Sequence, residues 1–315
     1  MSSPNFAAVT LFLLTAAAGL GAVQRVEQES FPLAPGGTVR FDAYRGAINV
    51  VAGAGDRVMV LVNLSLPAEA AAAQPLLDGF VLAGRTEGGV LTLTARNPLD
   101  RSARLSWNRR PRPEITYTLE VPAHVQLELQ TADGSITVDN LRGRMQARAR
   151  QGTIFFRQID GSVDARTETG DVVVSRCTGD VTLRTVQGSI RVGTVGGRAS
   201  LETMNGDIEF QAAHNAVLAV TKAGDITAGF ASVADGSQVR TGLGNISARV
   251  NAGAAFSLHA QSGWGPLRTA LPLESAGSDR GGRLTAIRNG GGPVLELRAA
   301  GGHVSLAPGD TFPPF

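Results

Sequence analysis

From Thr131 to Ala228 apolar and polar residues alternate at period two, and a turn residue interrupts the alternation every nine residues. Glycine stands at 134, 143, 152, 161, 170, 179, 188, 197, 206 and 224, and Asn215 fills the gap. Asparagine is the residue that best tolerates a left-handed turn after glycine, so it is expected to turn the chain in the same way. Taken in pairs, these steps give a unit of 18 residues. Positions 136, 154, 172, 190, 208 and 226 read Ile, Ile, Val, Ile, Ile, Ile, and positions 138, 156, 174, 192, 210 and 228 read Val, Phe, Val, Val, Phe, Ala. The second half-unit supplies Met145, Val163, Val181, Ala199 and Val217, then Ala147, Ala165, Leu183, Leu201 and Ala219. Period-two alternation at a fixed register describes strands buried on one face, and a helix does not satisfy it.

An internal repeat of this length decides the architecture ahead of local propensity. The expected fold is all-β: a single-stranded parallel β-helix (β-solenoid) of 18-residue coils, each made of two nine-residue half-units, with irregular N- and C-terminal coils. Coils would rise by ~4.8 Å, and no coil could bury its own apolar row without its neighbours. Two corner columns alternate at 18 residues. Leu141, Ile159, Cys177, Val195 and Ala213 form an apolar corner; Thr131, Ala149, Thr167, Thr185, Thr203 and Thr221 form a threonine corner. Threonine hydroxyls can satisfy backbone groups released at a bend. An antiparallel meander with a turn every nine residues would explain the glycines but not the alternation of the corners.

Upstream, Val39–Phe41, Gly46–Val50, Val58–Val62, Val90–Leu93 and Ile115–Val121 read as strands, and Gly46-Ala47-Ile48-Asn49-Val50 already has the form of the repeat. Ala68 to Leu77 reads as a short helix, interrupted or capped near Pro75. Downstream, Gly244 follows Gly224 by 20 residues, and a less regular segment through Trp264-Gly265-Pro266 leads to Pro293–Leu297 and Gly302–Leu306, which read as closing coils. The chain is therefore divided into residues 1–22, an irregular β-rich part over 25–122, regular repeats over 123–250, closing coils over 251–307 and a Pro-rich tail over 308–315.

The first 24 residues carry no charge, and the apolar run from Phe6 to Ala18 is followed by small residues. This is the pattern of a secretory signal cleaved between residues 18 and 22. The segment before the run lacks Lys and Arg, so an uncleaved anchor is the alternative, the one route by which this chain would engage a membrane. Either way the mature chain is placed outside the cytoplasm. Net charge is +2 with Lys222 as the only lysine, and the charges are mixed along the chain, which does not favour nucleic acid. Cys177, alone and in the apolar corner, reads as a small core residue.

The phrase Gly-Asp/Ser-Ile/Val-x-Val, with its lead-in Tyr117–Ala123 and its close Gly290–Leu297, resembles the bacterial putative-adhesin family with β-strand repeats. The resemblance covers residues 30 to 307. It implies an exported, β-helical protein of the cell envelope, labelled adhesin by analogy, and it carries over no catalytic residue.

Candidate chemistry is sparse. The calcium β-roll also repeats every nine residues, but its Gly-Gly-x-Gly-x-Asp signature does not occur here, and Ser135, Thr153 and Ser189 share the column of Asp171, Asp207 and Asp225. A column that accepts Ser, Thr and Asp is a turn column bonding local amides, so no metal or other cofactor is expected. Asp207 and Asp225 would lie one coil apart, the spacing of a carboxylate pair for glycoside cleavage. No other group converges on them, and His124, His214, His259 and His303 are scattered. Two outward columns remain as a candidate binding surface. Arg148, Arg166 and Arg184 would stack on consecutive coils ahead of Glu202, beside Asp164 and Glu168, as a ladder for an anionic glycan or another cell-surface component; Phe155 and Val173 would form a small apolar patch. Arg101, Arg104, Arg109, Arg110 and Arg112 crowd a Pro-containing loop that could also meet an anionic polymer.

Overall fold

The structure is a computed structural model that describes residues 11–13, 23–66, 74–99, 113–278 and 282–309. The arginine-rich loop at 101–112, nearly all of the segment 1–22, and residues 310–315 lie outside the described residues. The chain is all-β, with α1 (Gln74–Asp78) the only helix named among the described residues, and forms two compact units, residues 1–152 and 153–315.

The first unit contains β1 (Leu11–Leu13), β2 (Val23–Pro32), β3 (Thr38–Ala43), β4 (Ala47–Gly53), β5 (Arg57–Leu66), α1 (Gln74–Asp78), β6 (Val81–Glu87), β7 (Val90–Arg96), β8 (Glu114–Pro122), β9 (Gln126–Asp133), β10 (Ile136–Asp139) and β11 (Leu141–Gln151). All five expected strands are present. Of the helix expected over Ala68 to Leu77, residues 68–73 lie outside the described residues; α1 covers Gln74–Asp78, with Pro75 in its first turn, where a missing N–H costs nothing.

Two ladders organise this unit. One runs β11–β9–β3–β7 in parallel and ends on antiparallel β6. The other runs β10–β4–β8 in parallel, then β5 and β2 antiparallel, with Leu11–Leu13 pairing antiparallel to β2. Ile48 faces Ile136 and Val50 faces Val138, so the early phrase at Gly46 does carry the repeat. Its core holds Phe41 edge-on to Tyr117, ring centroids 5.0 Å apart, with Phe80 at 6.2 Å from Tyr117. Aromatics fill what the irregular coils leave open.

The second unit contains β12 (Ile154–Thr169), β13 (Val172–Cys177), β14 (Val181–Gln187), β15 (Ile190–Val195), β16 (Ala199–Asn205), β17 (Ile208–Ala213), β18 (Val217–Ala223), β19 (Ile226–Phe230), β20 (Ser237–Leu243), β21 (Ile246–Asn251), β22 (Phe256–Ser262), β23 (Leu267–Thr269), β24 (Ser275–Ser278), β25 (Arg283–Arg288), β26 (Val294–Ala299) and β27 (Val304–Gly309). Ile154, Val172, Ile190, Ile208, Ile226 and Ile246 pair in succession, in parallel and at the offsets read from the sequence. All are buried. The two residues added between Gly224 and Gly244 fall at the turn between β19 and β20.

The order of the last strands corrects the sequence reading. β26 lies between β20 and β22, and β27 lies between β21 and β23. The segments expected to close the stack are thus threaded into its interior, and the coil through Trp264 lies outside them. Antiparallel β25 and β24 then cover the edge of β22, which removes an open row of backbone donors and acceptors. Pro308 and Gly309, expected in the tail, are part of β27.

The corner columns explain the glycines. At Gly206 φ is +148°, and a Cβ there would lie 2.0 Å from the Gly188 carbonyl oxygen. That same carbonyl accepts a hydrogen bond of 3.0 Å from the Thr203 hydroxyl. Thr185, Thr221 and Thr241 donate likewise to Gly170, Gly206 and Gly224. The threonine corner therefore satisfies the carbonyls that the glycine corner exposes. Asn215 departs from expectation: among the described non-glycine residues only Asn140 and Asn289 have positive φ. The Asn215 side chain instead accepts from the amide of Ala216 at 2.7 Å. The Asp column differs too, because its bonds run to amides 18 or 20 residues further along the chain. Asp171 accepts from the amide of Ser189, Asp207 from that of Asp225, and Asp225 from that of Asn245.

Candidate functional site

Strand alternation sends every second side chain of the ladder β12–β14–β16–β18 outward. Arg166 pairs with Arg184, Arg184 with Glu202, and Glu202 with Val220. The row continues through Arg240, Arg298, Gln261 and Arg283. Five of its eight positions are arginine, over seven strand steps or ~34 Å. Sequence reading found only Arg166 and Arg184 of these. Arg240 enters the row through the pairing of β20 with β18, and Arg298 because β26 is threaded between β20 and β22, an order that chain position does not reveal. A signal for them did exist: Ala165-Arg166-Thr167, Leu183-Arg184-Thr185, Val239-Arg240-Thr241 and Leu297-Arg298-Ala299 share one phrase.

Acids partner part of the row. Arg166 pairs with Asp164 at 3.3 Å and Arg184 with Glu202 at 3.1 Å. Glu296 meets both Arg240, at 3.3 Å, and Arg298. The pairs of Arg166 and Arg184 are solvent-facing and contribute little to stability, whereas the Glu296 side chain, between Arg240 and Arg298, is largely buried. Around Gln261 the face sinks into a recess of about 270 Å3, bounded by His259, Arg283, Thr285 and Arg298.

Arg148 belongs to the first unit, where it is exposed and pairs in register with Gln130. It lines a second recess, of about 290 Å3, on the outward face of β7, β3, β9 and β11, with Arg40, Asp42, Thr92, Glu128 and Gln146. Arg40 is held there by Glu128 at 2.8 Å, and Asp42 by Arg96. Phe155 and Val173 are register neighbours on the other ladder of the second unit, but both are half-buried, and the Arg157 guanidinium lies 5.8 Å from the Phe155 ring centroid. The expected apolar patch is therefore small and partly covered by a cation.

Asp207 and Asp225, the pair at glycosidase spacing, each bond backbone one coil further on. Among the described residues, no three His, Cys, Asp or Glu side chains come together in a way that could hold a metal ion. Cys177 is buried, its thiol donates to the Gly161 carbonyl at 3.0 Å, and burial pushes its pKa up to about 11. It is a core residue. In the first unit, burial also raises the carboxyl of Glu27, which Arg25 partly offsets, and that of Glu29. No helix among the described residues is long and apolar enough to cross a membrane.

No family model matches the chain, and no curated protein matches it. Solved structures that the chain matches include a putative lipid binding protein from Parabacteroides distasonis, at 12% identity and a TM-score of 0.40, covering 89% of this chain and 96% of that one. A putative adhesin from Bacteroides fragilis is 11% identical with a TM-score of 0.35 over 90% of this chain and 96% of that chain. A putative cell adhesion protein from Clostridium sporogenes is 9% identical, with a TM-score of 0.24 over 90% and 100% of the respective chains. Likenesses at this level say nothing of what this chain binds.

Proposed function

We propose that this chain is an exported, non-catalytic binding scaffold of the bacterial cell envelope. In this reading the second unit is a parallel β-solenoid of 18-residue coils, and its outward arginine row takes an anionic polymer such as an acidic glycan. The observation that carries the reading is the row itself, five arginines over eight register positions on one sheet face. Charges repeated at ~4.8 Å suit a ligand that is itself extended and repetitive. Export is supported by the uncharged apolar stretch before Arg25.

The test is a binding screen of the mature chain on acidic and neutral polysaccharides, run beside an assay for chain cleavage of each polymer that binds. Retention of acidic polymers, weakening as salt rises and without loss of polymer length, is expected. Salt-independent binding of neutral polymers would overturn the ligand class, and shortening of any bound polymer would overturn the non-catalytic reading.

A further inference from the structure

At the outer end of the second unit, two exposed apolar side chains stand at one corner. Trp264 is 91% exposed and Leu243 is 68% exposed, the two most exposed large hydrophobic residues of those described. The glycines that follow them are stacked through a third. A Cβ at Gly302 would lie 2.0 Å from the Gly244 carbonyl oxygen, and the Gly265 amide donates to the Gly302 carbonyl at 3.2 Å. This order sets Gly301 between Leu243 and Trp264, a gap of two strand steps, about 10 Å. A Cβ at Gly301 would lie 3.0 Å from both the Gly242 carbonyl oxygen and the Leu243 Cδ2 atom.

The strip between this corner and the arginine row is equally bare. It consists of Gly242, Ala300 and Gly263, and a Cβ at Gly263 would lie 2.2 Å from the Ala300 carbonyl oxygen. No side chain larger than alanine's rises from it. On its far side stand Arg240, Arg298 and Arg283 beside His259, Gln261 and Thr285, with Glu296 paired to Arg240 and Arg298. A flat peptide floor thus runs between an indole and an arginine-rich recess, within three residues of chain from Trp264 to Gln261.

We infer that this corner is a terminal subsite for an acidic sugar unit, with a pyranose face stacked on Trp264 and its carboxylate or sulfate on Arg298 and Arg283. The assignment rests on the proposed glycan-binding reading and deepens it. An indole face attracts the polarised C–H face of a sugar, and Gln261, His259 and Thr285 offer hydrogen bonds to its hydroxyls. A membrane surface would favour a wider apolar patch, whereas here polar groups line the recess.

The experiment uses Trp107→Phe as background, which leaves Trp264 as the single indole of the two in the chain. A heparin-derived octasaccharide is titrated at low salt while indole emission and affinity are followed. Emission should change on binding, and Trp264→Ala should weaken affinity about ten-fold, the factor that ~1.4 kcal/mol carries. Trp264→Phe should retain most of the affinity, and Arg298→Gln should lower it together with its salt dependence. Because Trp264 is exposed, melting of Trp264→Ala should match that of its background. Unchanged emission of the background protein on titration, with unchanged affinity in Trp264→Ala and the octasaccharide still bound, would overturn the subsite and leave the arginine-row reading standing. Binding to phosphatidylglycerol vesicles in place of the octasaccharide would also overturn it, and failure of the background protein to bind any acidic saccharide would remove both readings.

Discussion

Val172→Asp probes the stacked columns at their centre. Val172 is fully buried and pairs in register with Ile154 on one side and Ile190 on the other. Losing the buried valine side chain costs ~1.5–3 kcal/mol. The introduced carboxyl has no cation in its column, so burial would raise its pKa by ~3 units, or ~4 kcal/mol at neutral pH. The sum, ~6 kcal/mol, is comparable to the whole stability of a typical domain, ~5–15 kcal/mol. Since β13 pairs with β12 and β15 on its two sides, the loss should extend to those strands. Circular dichroism melts of wild type, Val172→Ala and Val172→Asp would show it: the alanine variant should lose ~2 kcal/mol, and the aspartate variant should be largely unfolded at pH 7. The sign with pH is fixed as well. A carboxyl whose folded pKa is raised binds its proton more readily in the folded state, so part of the deficit should return as pH falls through that value. A Val172→Asp protein with the wild-type melt at pH 7 would refute the reasoning.

Thr203→Val keeps the shape of the side chain but leaves the Gly188 carbonyl without its hydroxyl donor, so chemical denaturation should show a loss of ~1–3 kcal/mol. Cys177 should resist a thiol reagent at pH 8 in the native protein and react promptly in denaturant, because it is buried with a pKa near 11; fast native labelling would contradict its place in the core. The raised carboxyls of Glu27 and Glu29 mean that the folded chain holds extra protons. Their contribution to stability should therefore decline as pH rises above ~4.5 and be absent from a Glu27→Gln, Glu29→Gln variant, as melts across pH would record. EDTA and millimolar calcium should leave the melting temperature unchanged, since the Asp column is engaged with backbone amides; a marked rise with calcium would overturn this.

The sequence disclosed what repetition governs. Alternation and the glycine spacing gave the strands, the buried columns and their register from Ile154 to Ile226, because a fixed offset leaves each apolar row one way to face inward. The threonine corner was legible for the same reason. Strand order at the ends was not legible. β26 pairs with β20 across an offset of 58 residues, Leu297 facing Val239, and no local pattern distinguishes an interior coil from a terminal one. Arg283 and Arg298 therefore stayed hidden as members of the row, and Arg240 was missed although the apolar-Arg-Thr phrase marked it. Asn215 misled because its side chain could serve the neighbouring amide without a left-handed backbone. Trp264 was visible as a residue, but its exposure beside Gly301 depends on the threaded strands.

Elution from an immobilised acidic polysaccharide over a salt series tests the central claim most directly. Wild type would be compared with an Arg240→Gln, Arg283→Gln, Arg298→Gln variant and with Arg249→Gln, whose arginine lies on the other ladder, opposite Gly229 and Ala307. The row variant should elute at markedly lower salt, because exposed charges act over ~8–10 Å, while its melt falls only by what Glu296 loses with its two arginine partners. Arg249→Gln should elute close to wild type. Equal retention of all three proteins, or an equal loss from the single control and the triple variant, would contradict the account.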